Sequence, residues 1–206
     1  MVIKYEEAKK IMGNDLIGAC EIEKAFSVNI DKNNIPEIPF SLEKLKQAKE
    51  NNQILILRLS YTKEEKPFTI ENINTFLNKR LSDGSFALFR DYNDAGERIE
   101  ASLYQNEHFA SEETPANSWA LVGIASKETA AENPSPVEII YDHIAYFQNT
   151  SKKLINNCEV MTSNIQDGMN IFISDFPKED GLYVGITREY LDQPRLKKYL
   201  SITKNA

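Results

Sequence analysis

The sequence predicts an α+β fold, and three features carry that prediction. Apolar residues recur at helical spacing through much of the first half, as in Tyr5, Ala8, Ile11 and Met12. Ile54-Leu55-Ile56-Leu57 is a continuous apolar run of strand length. The last third holds apolar runs separated by Asp-Gly pairs. Helices and strands that alternate early and give way to a closing run of strands describe a mixed sheet with segregated helices. At about 100–200 residues per domain, the 206 residues make one domain, 1–206, because each half has few strands of its own. A division into two sub-units would fall near 129–135.

Taken in order, Tyr5 to Met12 forms a first short helix, with Gly13 as a left-handed cap. A second runs from about Gly18 to Phe26 through Ala19, Ile22, Ala25 and Phe26. The Asn- and Pro-rich stretch from Val28 to Pro39 is a loop. Ser41 then caps a helix to about Glu50 that buries Leu42, Leu45 and Ala48. The Ile54–Leu57 run is apolar on both faces, so it belongs inside the sheet as a central strand near 53–60. Thr69 caps a helix through Ile70, Ile73, Phe76 and Leu77. Asp83-Gly84 is a turn, Phe86–Phe89 a strand, and Ile99–Leu103 another. Trp119–Val122 is a further buried strand. Ser135, Pro136 and Glu138 give a capping box with proline at the first helical position, opening a C-terminal helix to about Gln148. An antiparallel meander follows at Glu159–Ser163, Asn170–Asp175 and Leu182–Thr187, turned at Asp167-Gly168 and Asp180-Gly181 because glycine accepts the positive φ of a tight hairpin.

The composition is that of a globular chain, with 41% hydrophobic and 27% charged residues, which excludes a collagen or a wholly disordered protein. The net charge is −7, and Asp91–Asp142 alone contributes −9 from two basic and eleven acidic residues. Such a segment repels phosphate backbones, so nucleic acid is disfavoured as a partner. It reads as a solvated loop region kept soluble by charge, or as a face for a basic partner or a cation. Cys20 and Cys158 have no C-x-x-C spacing and read as small buried residues of a reducing compartment; whether they meet is open. The N-terminus has no apolar core, and no run approaches ~20 apolar residues. A cytoplasmic protein without membrane association is therefore expected.

Motifs of known chemistry are missing. There is no phosphate-binding glycine loop, no dinucleotide fingerprint and no nucleophile elbow. Of two histidines, His108 falls in a loop and His143 on the C-terminal helix beside Asp142. Adjacent helical residues diverge, so these two make no chelate; Glu138 and Asp142, four apart, can share one cation or stand on an exposed helix face. Asp91, Asn93 and Gly96 match positions 1, 3 and 6 of an EF-hand loop, but Ala95 and Ser102 stand where ligand oxygens belong, so the segment reads as a hairpin. The two N-terminal helices lack the pattern of a DNA-reading pair: Lys9 and Asn14 stand where a small and an apolar residue belong. The small basic cluster Arg195, Lys197 and Lys198 reads as a solvated tail.

Ile11-Met12-Gly13-Asn14 with Gly18 and Glu23-Lys24-Ala25-Phe26, Ile38-Pro39-Phe40-Ser41 with Leu42, Leu45 and Ala48-Lys49, Trp119–Val122, and the stretch from Val137–Tyr141 to Gly181–Val184 together resemble a family of bacterial hypothetical proteins from uncultured, small-genome bacteria. The resemblance covers most of the chain, with a shorter connection between Trp119 and the last helix. It implies a stand-alone domain, and it carries over no activity and no catalytic residue.

The expectation is a non-enzymatic binding or accessory protein, without a cofactor, whose partner can be another protein; the oligomeric state is open. The alternative is a metal-dependent hydrolase or nuclease using carboxylates of the acidic segment, with Asp91, Asp94, Glu138 and Asp142 as candidate ligands. That alternative requires at least three of them to converge on one point. An assembly role through an edge strand of the meander is a third expectation.

Overall fold

The computed structural model describes residues 3–78, 87–88, 90–92, 98–100, 108–125, 134–155, 159–166, 169–175, 181–187 and 196–203. The apolar run becomes strand β2 (Ile54–Arg58), and all five of its residues are buried. It is paired on both edges, in parallel with β1 (Leu16–Ile17) and antiparallel to β6 (Ser118–Ala125). The second edge of β6 takes β10 (Leu196–Thr203) antiparallel, and β10 lies parallel to β7 (Glu159–Gln166). β8 (Met169–Asp175) and β9 (Gly181–Thr187) complete the meander, and β3 (Ala87–Leu88) closes the far end in parallel with β9. Among the described residues the result is one mixed eight-stranded sheet, in which β2 is interior but second from one end. β4 (Arg90–Tyr92) and β5 (Arg98–Glu100) form a separate antiparallel pair, so the segment that partly matches an EF-hand starts and continues as paired strands. The α+β class holds.

Five helices surround the sheet among the described residues: α1 (Tyr5–Met12), α2 (Ala19–Phe26), α3 (Leu42–Glu50), α4 (Ile70–Asn78) and α5 (Pro136–Thr150). Their starts follow local side-chain chemistry. Ser41 Oγ accepts from Lys44 N–H at 3.2 Å, and Thr69 Oγ1 from Asn72 N–H at 3.1 Å. At α5, Ser135 N–H donates to Glu138 Oε2 at 2.9 Å, and Glu138 N–H donates back to Ser135 Oγ at 3.4 Å. α5 lies on the sheet against β2, β7 and β8 and is flanked by α2 and α4. It is therefore enclosed on nearly all sides, and every residue from Pro136 to Tyr146 except Glu138 is buried. An aromatic cluster of Phe26, Phe68, Phe76 and Tyr141 fills the junction, with ring centroids 5.0–5.7 Å apart. On the opposite sheet face, the Trp119 indole donates to Pro36 O at 2.8 Å and lies 6.4 Å from the Tyr5 ring. No helix among the described residues is long and apolar enough to cross a membrane.

Several expectations need correction. Cys20 is exposed, not buried. Asp142 is buried and Glu138 nearly so, and the pair does not stand on an exposed helix face. Lys197 and Lys198 belong to β10, the strand that joins the two parts of the sheet, and not to a tail. Gly13 has the expected positive φ of 60°, but its ψ of −125° lies outside the left-handed helical well. α1 and α2 are separated by a 3-10 turn and by β1, which is not the geometry of a DNA-reading helix pair. The turns expected at Asp83-Gly84, Asp167-Gly168 and Asp180, the strand residues Phe86, Phe89 and 101–103, the boundary region 129–133, Arg195 and Cys158 lie outside the described residues.

Candidate functional site

Glu138 and Asp142 do share a cation, and it is a guanidinium supplied by the chain. Arg58 ends the apolar strand β2 and points at α5. Its Nε donates to Asp142 Oδ1 at 3.0 Å and its Nη2 to Asp142 Oδ2 at 2.5 Å, a two-point fork, while Nη1 donates to Glu138 Oε1. Arg58 and Asp142 are fully buried; Glu138 keeps 13% of its side chain exposed. The other oxygen of Glu138 is held by the α5 cap. Planar guanidinium matches planar carboxylate, which is why arginine serves here. Asp142 also acts on its neighbour: burial first, and then this carboxylate, push the Tyr141 hydroxyl well above its ordinary range. Asp91 lies in β4 opposite Ile99, and Asp94 lies outside the described residues. Among the described residues, no three His, Cys, Asp or Glu side chains gather as a metal ligand set.

The two histidines have opposite surroundings. His143 is buried, and its Nδ1 accepts the Ile155 N–H at 3.1 Å, which places the proton of the neutral ring on Nε2. Burial, helped by the charge of Lys153, lowers its pKa to about 3. The ring stacks on Phe147 with centroids 6.3 Å apart. His108 is the exposed first residue of a 3-10 turn whose other two residues are buried, and it lies 3.6 Å from Glu112.

An open cleft of about 340 Å³ lies where α1, the following turn, β1, α2 and α5 meet. Buried Leu16 and Ile17 of β1 form its apolar floor. Lys9 enters from α1, Asn14 from the turn, Cys20, Glu21 and Lys24 from α2, and Asn149 from α5. Cys20 and Lys24 are one helical turn apart, so they share a face. The turn that carries Asn14 is pinned by Asp15, which accepts from Tyr146 OH at 2.9 Å and from the Lys49 ammonium. Lys49 also donates to Met12 O at 3.0 Å.

Glu21 organises the cleft wall. It accepts from Lys9 Nζ and from Gly18 N–H, each at 3.0 Å, and from Tyr5 OH at 3.5 Å. Partial burial opposes its ionisation, but the Lys9 ammonium and the backbone N–H groups outweigh burial and hold its carboxyl below the usual range. Tyr5 responds in the opposite sense: burial, then the charge of Glu21, raise its pKa to about 12. Gly18 makes this approach feasible, because a Cβ there would lie 2.7 Å from the Tyr5 hydroxyl oxygen. Asn149 commits its amide protons to Glu21 O and Ala145 O, both at 2.9 Å, which fixes its side chain on the wall.

The lining thus offers ammonium, carboxylate, carboxamide and thiol groups over an apolar floor, with no imidazole among the described lining residues. This is the chemistry of recognition by charge and hydrogen bonds. Sequence reasoning placed Lys9, Cys20 and Lys24 on helices but did not assemble them, and it missed Arg58; the available signal was a charged residue closing an otherwise apolar strand. Comparison of the chain with protein-family models, with curated proteins and with solved structures yields no match.

Proposed function

We propose that this chain is a binding protein rather than a catalyst, and that the cleft between α1, α2 and α5 receives a small polar ligand. The observation that carries the reading is the division of labour among polar side chains. The interior acids are held by Arg58 and the interior histidine by a backbone N–H, whereas the cleft, itself open to solvent, gathers polar groups from three helices around a buried apolar floor. The metal-dependent alternative is not adopted, because two of its four carboxylates are already paired with a guanidinium.

A nuclear magnetic resonance titration of the full chain with separate small probes (acetate, inorganic phosphate, glycerol, acetamide and ethylammonium) tests the proposal. Amide shifts concentrated at Lys9, Asn14, Cys20, Lys24 and Asn149 are expected for at least one probe. Shifts confined to other surfaces, or absent for all probes, would remove this reading.

A further inference from the structure

We infer that the cleft selects ligands bearing an oxoanion, a carboxylate or a phosphate, and that Lys9 is the group that binds it. The inference rests on the cleft being a binding site and names the class of ligand. The formal charges of the lining sum to +1, from Lys9, Lys24 and Glu21, within a chain of net charge −7. An anion is repelled by the molecule as a whole, and in this lining it meets two ammonium groups against one carboxylate. The single carboxylate of the lining does not cancel this for a ligand. Glu21 already accepts from Lys9, Gly18 and Tyr5, and the Lys9 ammonium held against it repels a cationic ligand.

Lys9 itself is not saturated. Its ammonium has three N–H groups, and the described structure uses two, toward Glu21 Oε1 at 3.0 Å and Leu16 O at 3.4 Å. Its side chain is 35% exposed at the cleft, so the third N–H can reach a ligand without breaking the pair. The Glu21 contact holds the ammonium in place before the ligand arrives, which lowers the entropy lost on binding.

The test uses the full chain, with binding followed by the amide shifts of Cys20 and Lys24 and by the rate at which a thiol reagent labels Cys20, assigned by peptide mapping. Inorganic phosphate and succinate are the anionic probes; glycerol and ethylammonium are the controls. At least one anion is expected to move the cleft amides and slow Cys20 labelling. Lys9→Met should weaken that anion's binding about tenfold or more, the factor of a lost charge-assisted hydrogen bond, and Lys9→Arg should retain it. Phosphate without succinate would identify a phosphate site, and the reverse a carboxylate site; either supports the inference. Glycerol or ethylammonium shifting the cleft amides while both anions fail would overturn the oxoanion inference and leave the binding site standing. Anion binding unchanged in a folded Lys9→Met chain would overturn the role of Lys9. No probe moving the cleft amides would end both readings.

Discussion

Replacing Arg58 with methionine removes the guanidinium and leaves Asp142 buried without its cation. Both side chains have no exposed surface, so water cannot take over the lost contacts. Breaking a buried ion pair from one side costs about 3–5 kcal/mol, because the orphaned charge stays in a medium that solvates it poorly. Against a total stability of ~5–15 kcal/mol for a domain, that is a large fraction. The double replacement Arg58→Met with Asp142→Leu removes both charges and conserves volume roughly. It should lie within about 2 kcal/mol of the parent, or above it, since a buried pair often does little better than apolar residues of the same size. Urea denaturation supplies the assay. Trp119 is the only tryptophan and is buried on the opposite face of the same strand pair, next to Ser118, the register partner of Arg58, so its fluorescence follows unfolding of the sheet while far-UV dichroism reports on the whole. The reasoning fails if Arg58→Met costs under about 1 kcal/mol, or if the double variant loses as much as the two singles combined.

Three further outcomes follow from other buried groups. The lowered pKa of His143 means that its contribution to stability is complete above the ordinary value of 6.5 and is lost as pH falls toward about 3. The slope is about 1.4 kcal/mol per pH unit inside that window; urea titrations at pH 6.5 and 5.5 should show it in the parent and not in His143→Gln, and a ring-proton titration with a midpoint above 5 would contradict it. Gly18→Ala should push the Tyr5 ring away from Glu21 and return its pKa from about 12 toward 10, while the change in stability stays within ~1 kcal/mol because alanine also restricts the unfolded chain; ultraviolet difference titration against Tyr5→Phe reads this. Gln53 Nε2 is buried without a hydrogen-bond partner among the described residues, so Gln53→Met should raise stability by about 1–2 kcal/mol in thermal unfolding; an unchanged or lower Tm would mean that the amide is satisfied.

The parts of this fold that sequence reasoning reached are those whose cause is local. Ser41, Thr69 and Ser135 announce their helices because the capping hydrogen bond is made within three residues of the cap. The parts it missed are held from far along the chain. β10 contains Lys197-Lys198, which breaks any alternation, and it exists as a strand because β6 and β7 accept it on either side. β1 is two residues long and offers no period at all. α5 shows the same limit from within one helix. Its spacing marks an apolar face, but cover from the sheet on one side and from α2 and α4 on others buries Asp142 and His143 as well. That is why Glu138 and Asp142 could be read as a pair awaiting a cation while the cation, 80 and 84 residues upstream, stayed hidden. The cleft follows the same division. Lys9 to Lys24 come from one short stretch, and their local contacts are of the kind a sequence can suggest. The wall closes only when Asn149, 128 residues beyond Glu21, docks on the Glu21 carbonyl. The form of the cleft is therefore a product of tertiary packing on α5, and a substitution that loosens α5 should disturb the cleft even where it touches no lining residue.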